Sequence, residues 1–227
     1  MPQRLEVVFD NSTRIRHFTS PARPGVQISP AAVALYAEDD RVLVGDADSR
    51  EEYRLTATGS LIHPGVEVPS FVQLGSGVLL QAGVTFKANP RLSETHDNPV
   101  TIGDGSRVRD TAVDTGVQIG ERVVMLGRAA GAYSEFGAYS RVGPETEVMR
   151  SVLIDPSAKL DKGCWINSGV WVKFAARLGF NTTVLQDAQI GENARIGYFT
   201  GEGIPEGYDG ALIYPRQIVE PRAQIGR

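Results

Sequence analysis

From Phe136 to Ile196 an aliphatic or aromatic residue returns at every sixth position without a slip: Phe136, Val142, Val148, Ile154, Leu160, Ile166, Val172, Leu178, Val184, Ile190 and Ile196. From Thr146 onward, a small or β-branched residue stands four places after each: Thr146, Val152, Ala158, Cys164, Val170, Ala176, Thr182, Ala188 and Ala194. An α-helix repeats its apolar face about every 3.6 residues and a lone strand about every 2, so neither accounts for this period. A strict sixfold period held over many repeats is the signature of a solenoid, the parallel β-helix built from hexapeptides. Each hexad is one short strand and a turn, and each aliphatic stacks on its counterparts in the neighbouring coils. A one-residue insertion in this run, for example after Lys162, is expected to swing every later aliphatic out of the core.

The same pattern extends on both sides of the regular run. Ile62, Val68, Leu74, Leu80 and Phe86 continue it, with Val66, Val72, Val78 and Val84 at the small position. It breaks for a loop at 88–99 and restarts at Ile102 and Val108. Between Asp114 and Phe136 two repeats are one residue short, which shifts the phase at Ile119 and Met125. The expected organisation is therefore an N-terminal arm or cap with a hairpin at 1–60, a β-helix of about seven coils at 61–197, and an irregular tail at 198–227 carrying a final hexad. Within the first part, 28–33 reads as an isolated first hexad. A cap is expected because an open solenoid end exposes apolar surface and unpaired strand edges.

Composition excludes several classes. With 23 Lys plus Arg against 27 Asp plus Glu, a net charge of -4 and no basic cluster, the chain gives no reason to expect nucleic acid or an anionic membrane as partner. The single Cys164 cannot form an internal disulfide and sits in the repeat as a small core residue. The first residues carry neither a signal-peptide block nor an amphipathic presequence, and no apolar run reaches membrane length, so a soluble cytoplasmic protein is expected.

If three hexads close one triangular coil, roughly 18 residues separate equivalent positions on a face. Met149, Leu153, Asn167, Trp171, Leu185 and Gln189 then point outward together, and Met149, Leu153, Trp171 and Leu185 make that stripe apolar. Contiguous apolar surface usually marks an interface.

The hexad starts Ile102-Gly103-Asp104, Ile119-Gly120-Glu121 and Ile190-Gly191-Glu192 resemble those of the hexapeptide-repeat left-handed β-helix superfamily, over about residues 60–197. That resemblance implies a homotrimer and, most often, an acyltransferase using acyl-CoA, with the γ-class carbonic anhydrases as a second branch. Two stretches, 77–89 and 98–110, are similar to the path of the carbonic anhydrase chain into its active site. There the resemblance puts Lys87, Asn89, Arg109 and Asp110 at the polar site positions and Thr115, Gly127 and Ala132 where zinc-binding histidines would stand. None of these three is a zinc donor, so no catalytic metal and no carbonic anhydrase activity are expected. The segment Pro99 to Asp104 is also similar to one that follows an extruded loop in sugar and xenobiotic acetyltransferases, whose catalytic histidine lies near that loop.

Of three histidines, His17 lies in the polar arm and His63 in an Ile62-His63-Pro64 entry turn. His96 stands in the loop between Glu94 and Asp97, where an imidazole can deprotonate a hydroxyl or amine and a carboxylate can fix its tautomer. Two readings stay open. One is a trimeric acyltransferase working between subunits, with His96 as base, acyl-CoA as co-substrate, and Lys87, Asn89, Arg109, Asp110 and Thr115 as binding residues. The other is a metal-free, repurposed carbonic anhydrase-like protein serving as a scaffold or binding module.

Overall fold

A computed structural model describes residues 5–9, 15–20, 23–28, 41–44, 51–56, 58–87, 99–197 and 210–226. Three sheets run along one axis, with 14, 7 and 8 strands; the chain visits them in that order, and we call them sheets I, II and III. Within the coils every pairing is parallel, as in Glu147↔Trp165 and Leu153↔Trp171, each 18 residues apart. This is the hexapeptide-repeat parallel β-helix that the period implies.

The strands are two residues long in most coils, because in each hexad only the outward residue and the inward aliphatic after it are extended. The inward aliphatics stack in register. In sheet III, Ile102, Ile119, Phe136, Ile154, Val172, Ile190 and Val219 form one column, all buried. The small residue four places on fills the corner of the triangle, and Val152, Ala158, Cys164, Val170, Ala176, Ala188 and Ala194 are buried there. Burial of this kind contributes about 25 cal/mol per Å² of apolar surface, repeated coil after coil.

The corners dictate the remaining residue types. Coils approach so closely at the corner from sheet III to sheet I that a Cβ on Gly103 would lie 2.7 Å from the Gly120 carbonyl carbon, and one on Gly120 would lie 2.8 Å from the Ala138 nitrogen. From Leu74 onward, outside the two five-residue repeats, the third described residue after each inward aliphatic is left-handed whatever its type, so that even Tyr133 and Tyr139 adopt φ of 58° and 62°. Such a φ costs an ordinary side chain about 1–2 kcal/mol, which packing of the coil offsets.

Several boundaries differ from those the sequence suggests. The two short repeats are Val108 to Val113 and Met125 to Ala130, so the first precedes Asp114, and both fall at the corner from sheet I to sheet II. There the pentapeptide turns stack on one another, tied by the Thr111 hydroxyl to the Gly127 carbonyl at 2.6 Å. The repeat also resumes beyond Gly197, with Leu212–Ile213, Ile218–Val219 and Gln224–Ile225 joining sheets II, III and I. Nine passes of the helix through sheet I enclose eight coils between Leu61 and Ile225, rather than about seven.

The N-terminal strands β1 (Leu5–Phe9), β2 (Ile15–Ser20), β3 (Arg23–Ile28), β4 (Arg41–Val44) and β5 (Glu51–Leu55) extend sheet I past β6 (Leu61–Ile62). Ile28, expected to open a hexad, instead ends β3 in an antiparallel pair with Phe18. The first coil's edge in sheet I is thus hydrogen-bonded, Leu55 to Leu61, rather than left as an open template. Tyr53 is buried there, its ring centroid 5.7 Å from that of His63 with the two rings edge to face.

Candidate functional site

The corner from sheet II to sheet III holds most of what could form a site. Lys87 is the last described residue before the excursion at 88–98, and Pro99 leads back into sheet III at Val100–Ile102. His96 and Asn89 lie outside the described residues. Lys87 is anchored from both sides: its amide donates to the Val113 carbonyl at 2.9 Å and its carbonyl accepts from the Thr115 hydroxyl at 3.1 Å. Thr115 is nearly buried, and its amide donates to the Asp114 carboxylate at 2.7 Å. Its hydroxyl therefore fixes the root of the excursion.

Arg109 and Asp110 are not at this corner. They occupy the pentapeptide turn between sheets I and II, on the far side of Ala112–Val113, where they form an exposed ion pair at 2.9 Å. Asp110 sits over Gly83 of the preceding coil, its carboxylate filling the space where a Cβ would be. Within one chain the four described binding candidates thus fall on two corners, with Lys87 and Thr115 together and Arg109 with Asp110 apart.

The carbonic anhydrase-like positions divide the same way. Thr115 and Ala132 follow one another at the corner between sheets II and III, the Tyr133 amide donating to the Thr115 carbonyl at 3.1 Å. Gly127 lies in the other corner, where a Cβ would meet the Thr146 carbonyl oxygen at 2.7 Å. Two positions without a donor atom and one hydroxyl do not fit a zinc ion, and at Gly127 the tight turn excludes any side chain. Among the described residues no group of three His, Cys, Asp or Glu could hold a metal.

The outward apolar residues are placed differently from the single face expected. Met149 and Leu185 stand at the corner between sheets II and III, farther along the same edge as Lys87, while Leu153 and Trp171 point outward from adjacent strands of sheet III. Trp171 is 38% exposed; its Nε1 donates to Asp155 at 2.9 Å, and the Lys173 ammonium lies 4.8 Å from the ring centroid. Ile218 and Tyr214, both 63% exposed, continue this surface into the last coil. Composition alone could have found them had the tail been read as a full coil.

Other candidate chemistry is spoken for. His63 Nδ1 accepts from the Gly65 amide at 3.1 Å, so it serves the entry turn. Burial pushes the Cys164 thiol up to about 12, which leaves no thiolate for catalysis near neutral pH. Among the described residues no helix is long and apolar enough to cross a membrane.

No family model and no curated protein matches the chain. Among solved structures it is similar to the UDP-N-acetylglucosamine acyltransferase of Francisella novicida, with 13% identity over 70% of this chain and 66% of that one, and a TM-score of 0.47. It is also similar to the UDP-N-acetylglucosamine acyltransferase from Campylobacter jejuni, at 12% identity over 61% of this chain and 68% of that one, with a TM-score of 0.31. The likeness is one of coil architecture and bears on nothing else; the fold rests on the strand register above.

Proposed function

We propose that the chain forms a homotrimer through Met149, Leu153, Trp171 and Leu185 and acts in the cytoplasm as an acyltransferase, moving an acyl group from acyl-CoA to a hydroxyl or amine in the cleft between subunits. The observation that carries this reading is that the excursion at 88–98 and the apolar surface share the corner between sheets II and III. A neighbour docked along that edge would lie beside Lys87 and Pro99, between which the sequence carries Asn89 and His96. Arg109 and Asp110, on the other corner, would then enter the cleft from the adjoining subunit. Lys87 and Arg150 are exposed at the shared corner and make no ion pair among the described residues, so they suit the phosphates of the donor.

In the reaction His96 takes the proton of the acceptor as its oxygen or nitrogen attacks the thioester carbonyl. The carbon–sulfur bond breaks, the acyl group passes to the acceptor, and the proton returns to the departing CoA thiolate. The test is calorimetric titration of the full chain with CoA, followed by thiol release from acyl-CoA across sugar and amine acceptors. His96→Gln is expected to abolish transfer while CoA binding stays within about twofold, since a general base contributes about 10²–10⁴-fold to rate. Failure to bind CoA sinks the reading. The scaffold alternative, a metal-free relative of the carbonic anhydrases, is favoured by one observation, the closed turn at Gly127.

A further inference from the structure

Sheet I carries a surface that the proposed reaction does not use. Its outward strand positions run in register from coil to coil as Arg141, Lys159, Arg177 and Arg195, preceded across Val124 by Arg107. Neighbouring strands lie about 4.8 Å apart, so these cations stand in a straight row with one per coil. Arg141, Lys159 and Arg177 are exposed and form no ion pair among the described residues. At the corner toward sheet II the acids beside these three cations are engaged elsewhere: Glu145 pairs with Lys162 at 3.0 Å, and the Asp161 carboxylate accepts from the Lys162 amide at 2.9 Å. At the corner toward sheet III, Asp155 accepts from the Trp171 indole, and Glu192 is exposed beside Arg195 at the end of the row. Partial burial, then the charges of Arg177 and Arg141, hold the Lys159 ammonium below its ordinary range. Like charges directly opposite one another destabilise a sheet. Nothing in the coil requires them, since the outward positions of sheets II and III in the same coils hold Glu147, Trp165 and Thr183, and Leu153, Trp171 and Gln189.

We propose that this row binds an extended acidic polysaccharide, lying along the helix axis with about one carboxylate or sulfate per sugar. A straight line of cations repeating about every 4.8 Å matches a linear polyanion whose monomer is about as long, and a pyranose ring in an extended glycan has that length. A single-stranded nucleic acid fits less well, because its bases need a succession of aromatic platforms beside the cations. Sheet I offers none at its described outward strand positions. In the corner that leads into the row, Tyr139, 44% exposed with the Arg122 guanidinium 5.5 Å from its ring centroid, and Phe174, 48% exposed, stand two coils apart and make no succession of platforms. The overall charge of -4 gives the chain no general attraction for polyanions, so binding must come from the row itself. This surface is separate from the corner between sheets II and III and stands whether or not the chain transfers acyl groups.

The test is fluorescence anisotropy of a labelled oligogalacturonate long enough to span four coils, titrated with the full chain. Binding is expected at low salt, weakening on the order of tenfold as salt rises through the physiological range, while an uncharged glucan of equal length stays free. Lys159→Glu with Arg177→Glu is expected to weaken binding by about tenfold or more, and Arg128→Glu with Arg216→Glu, the same change of net charge at other corners, by less than about twofold. Lys159→Gln with Arg177→Gln repeats the first arm without introducing acids, and its melting temperature should equal or exceed the parent's. Equal losses in both pairs would show a net-charge effect and overturn the proposal. Absence of binding, or tighter binding of a single-stranded oligonucleotide of equal charge, would overturn it as well.

Discussion

Ser134 and Ser140 occupy the same place in consecutive hexads, yet their hydroxyls have opposite fates. The Ser134 hydroxyl donates to the Met149 carbonyl at 2.8 Å and accepts from the Val152 amide at 3.1 Å, bridging two coils. Ser60, Ser106 and Thr146 make the same bridge, to Gly75 and Val78, Gly120 and Val123, and Asp161 and Cys164. Ser140 is equally buried but its hydroxyl has no partner, because the Ala158 amide above it turns to the Asp155 carbonyl of its own corner at 3.3 Å. Ser134→Ala leaves a buried carbonyl and amide unpaired and is expected to cost about 2 kcal/mol. Ser140→Ala removes an orphan and should be neutral, or stabilising by up to about 1 kcal/mol. Urea denaturation of both variants checks this, and equal losses would mean the bridges carry no energy. The sequence marks both positions only as small; which hydroxyl bridges depends on the turn above, and no period reports that.

At the scale of the element, strands carry the period and corners absorb departures from it. The excursions at 88–98 and 198–209 leave and re-enter at corners, yet Phe86 still pairs with Val113 and Val184 with Ile213. Lys162 lies in such a corner, between Leu160 and Cys164, so an insertion after it is not expected to displace the coils that follow. This replaces the expectation from periodicity alone, which treated the run as one continuous register. An insertion between Trp165 and Ile166 instead breaks a two-residue strand and pulls a fully buried isoleucine from its column. It should cost about 2–5 kcal/mol, the range for losing a large core side chain, and the corner insertion well under half of that. Melting curves of the two insertions decide; similar losses would mean the coils share one register after all. The inward ladders were legible because stacking like on like writes the period directly into the chain. Corners were not, since Arg109 with Asp110 and Lys87 with Thr115 read as one neighbourhood until the triangle separates them. β1–β5 were also missed in part, because antiparallel strands beside a solenoid leave no sixfold mark.

For the whole molecule, the three outer surfaces differ in a way that orients any assembly. Sheet I presents the cationic row, whose mutual repulsion would be multiplied if copies met there. Many of the exposed apolar side chains lie instead on sheet III and its corner with sheet II, where Leu153 and Trp171 are neighbours and Met149, Leu185, Tyr214 and Ile218 extend the surface over successive coils, with Trp165 and Leu212 outward on sheet II. A self-associating form is therefore expected to bury that side and leave sheet I outward, accessible to a long ligand. Trp171 is pre-organised for such a contact, its indole held by Asp155 and by Lys173 over the ring, so little side-chain freedom is lost on docking. A tryptophan anchor at the centre of an interface can carry about 2 kcal/mol or more. Trp171→Asp removes it and sets a second carboxylate beside Asp155, and is expected to give monomers by light scattering at concentrations where the parent is a trimer. Because Trp171 is an outward residue and Val172 behind it keeps the core column, the variant's melting transition measured at low concentration should stay close to that of the dissociated parent. A variant that remains trimeric, or a parent that is monomeric, would remove the basis for placing chemistry between subunits, and would leave the row on sheet I as the surface to pursue.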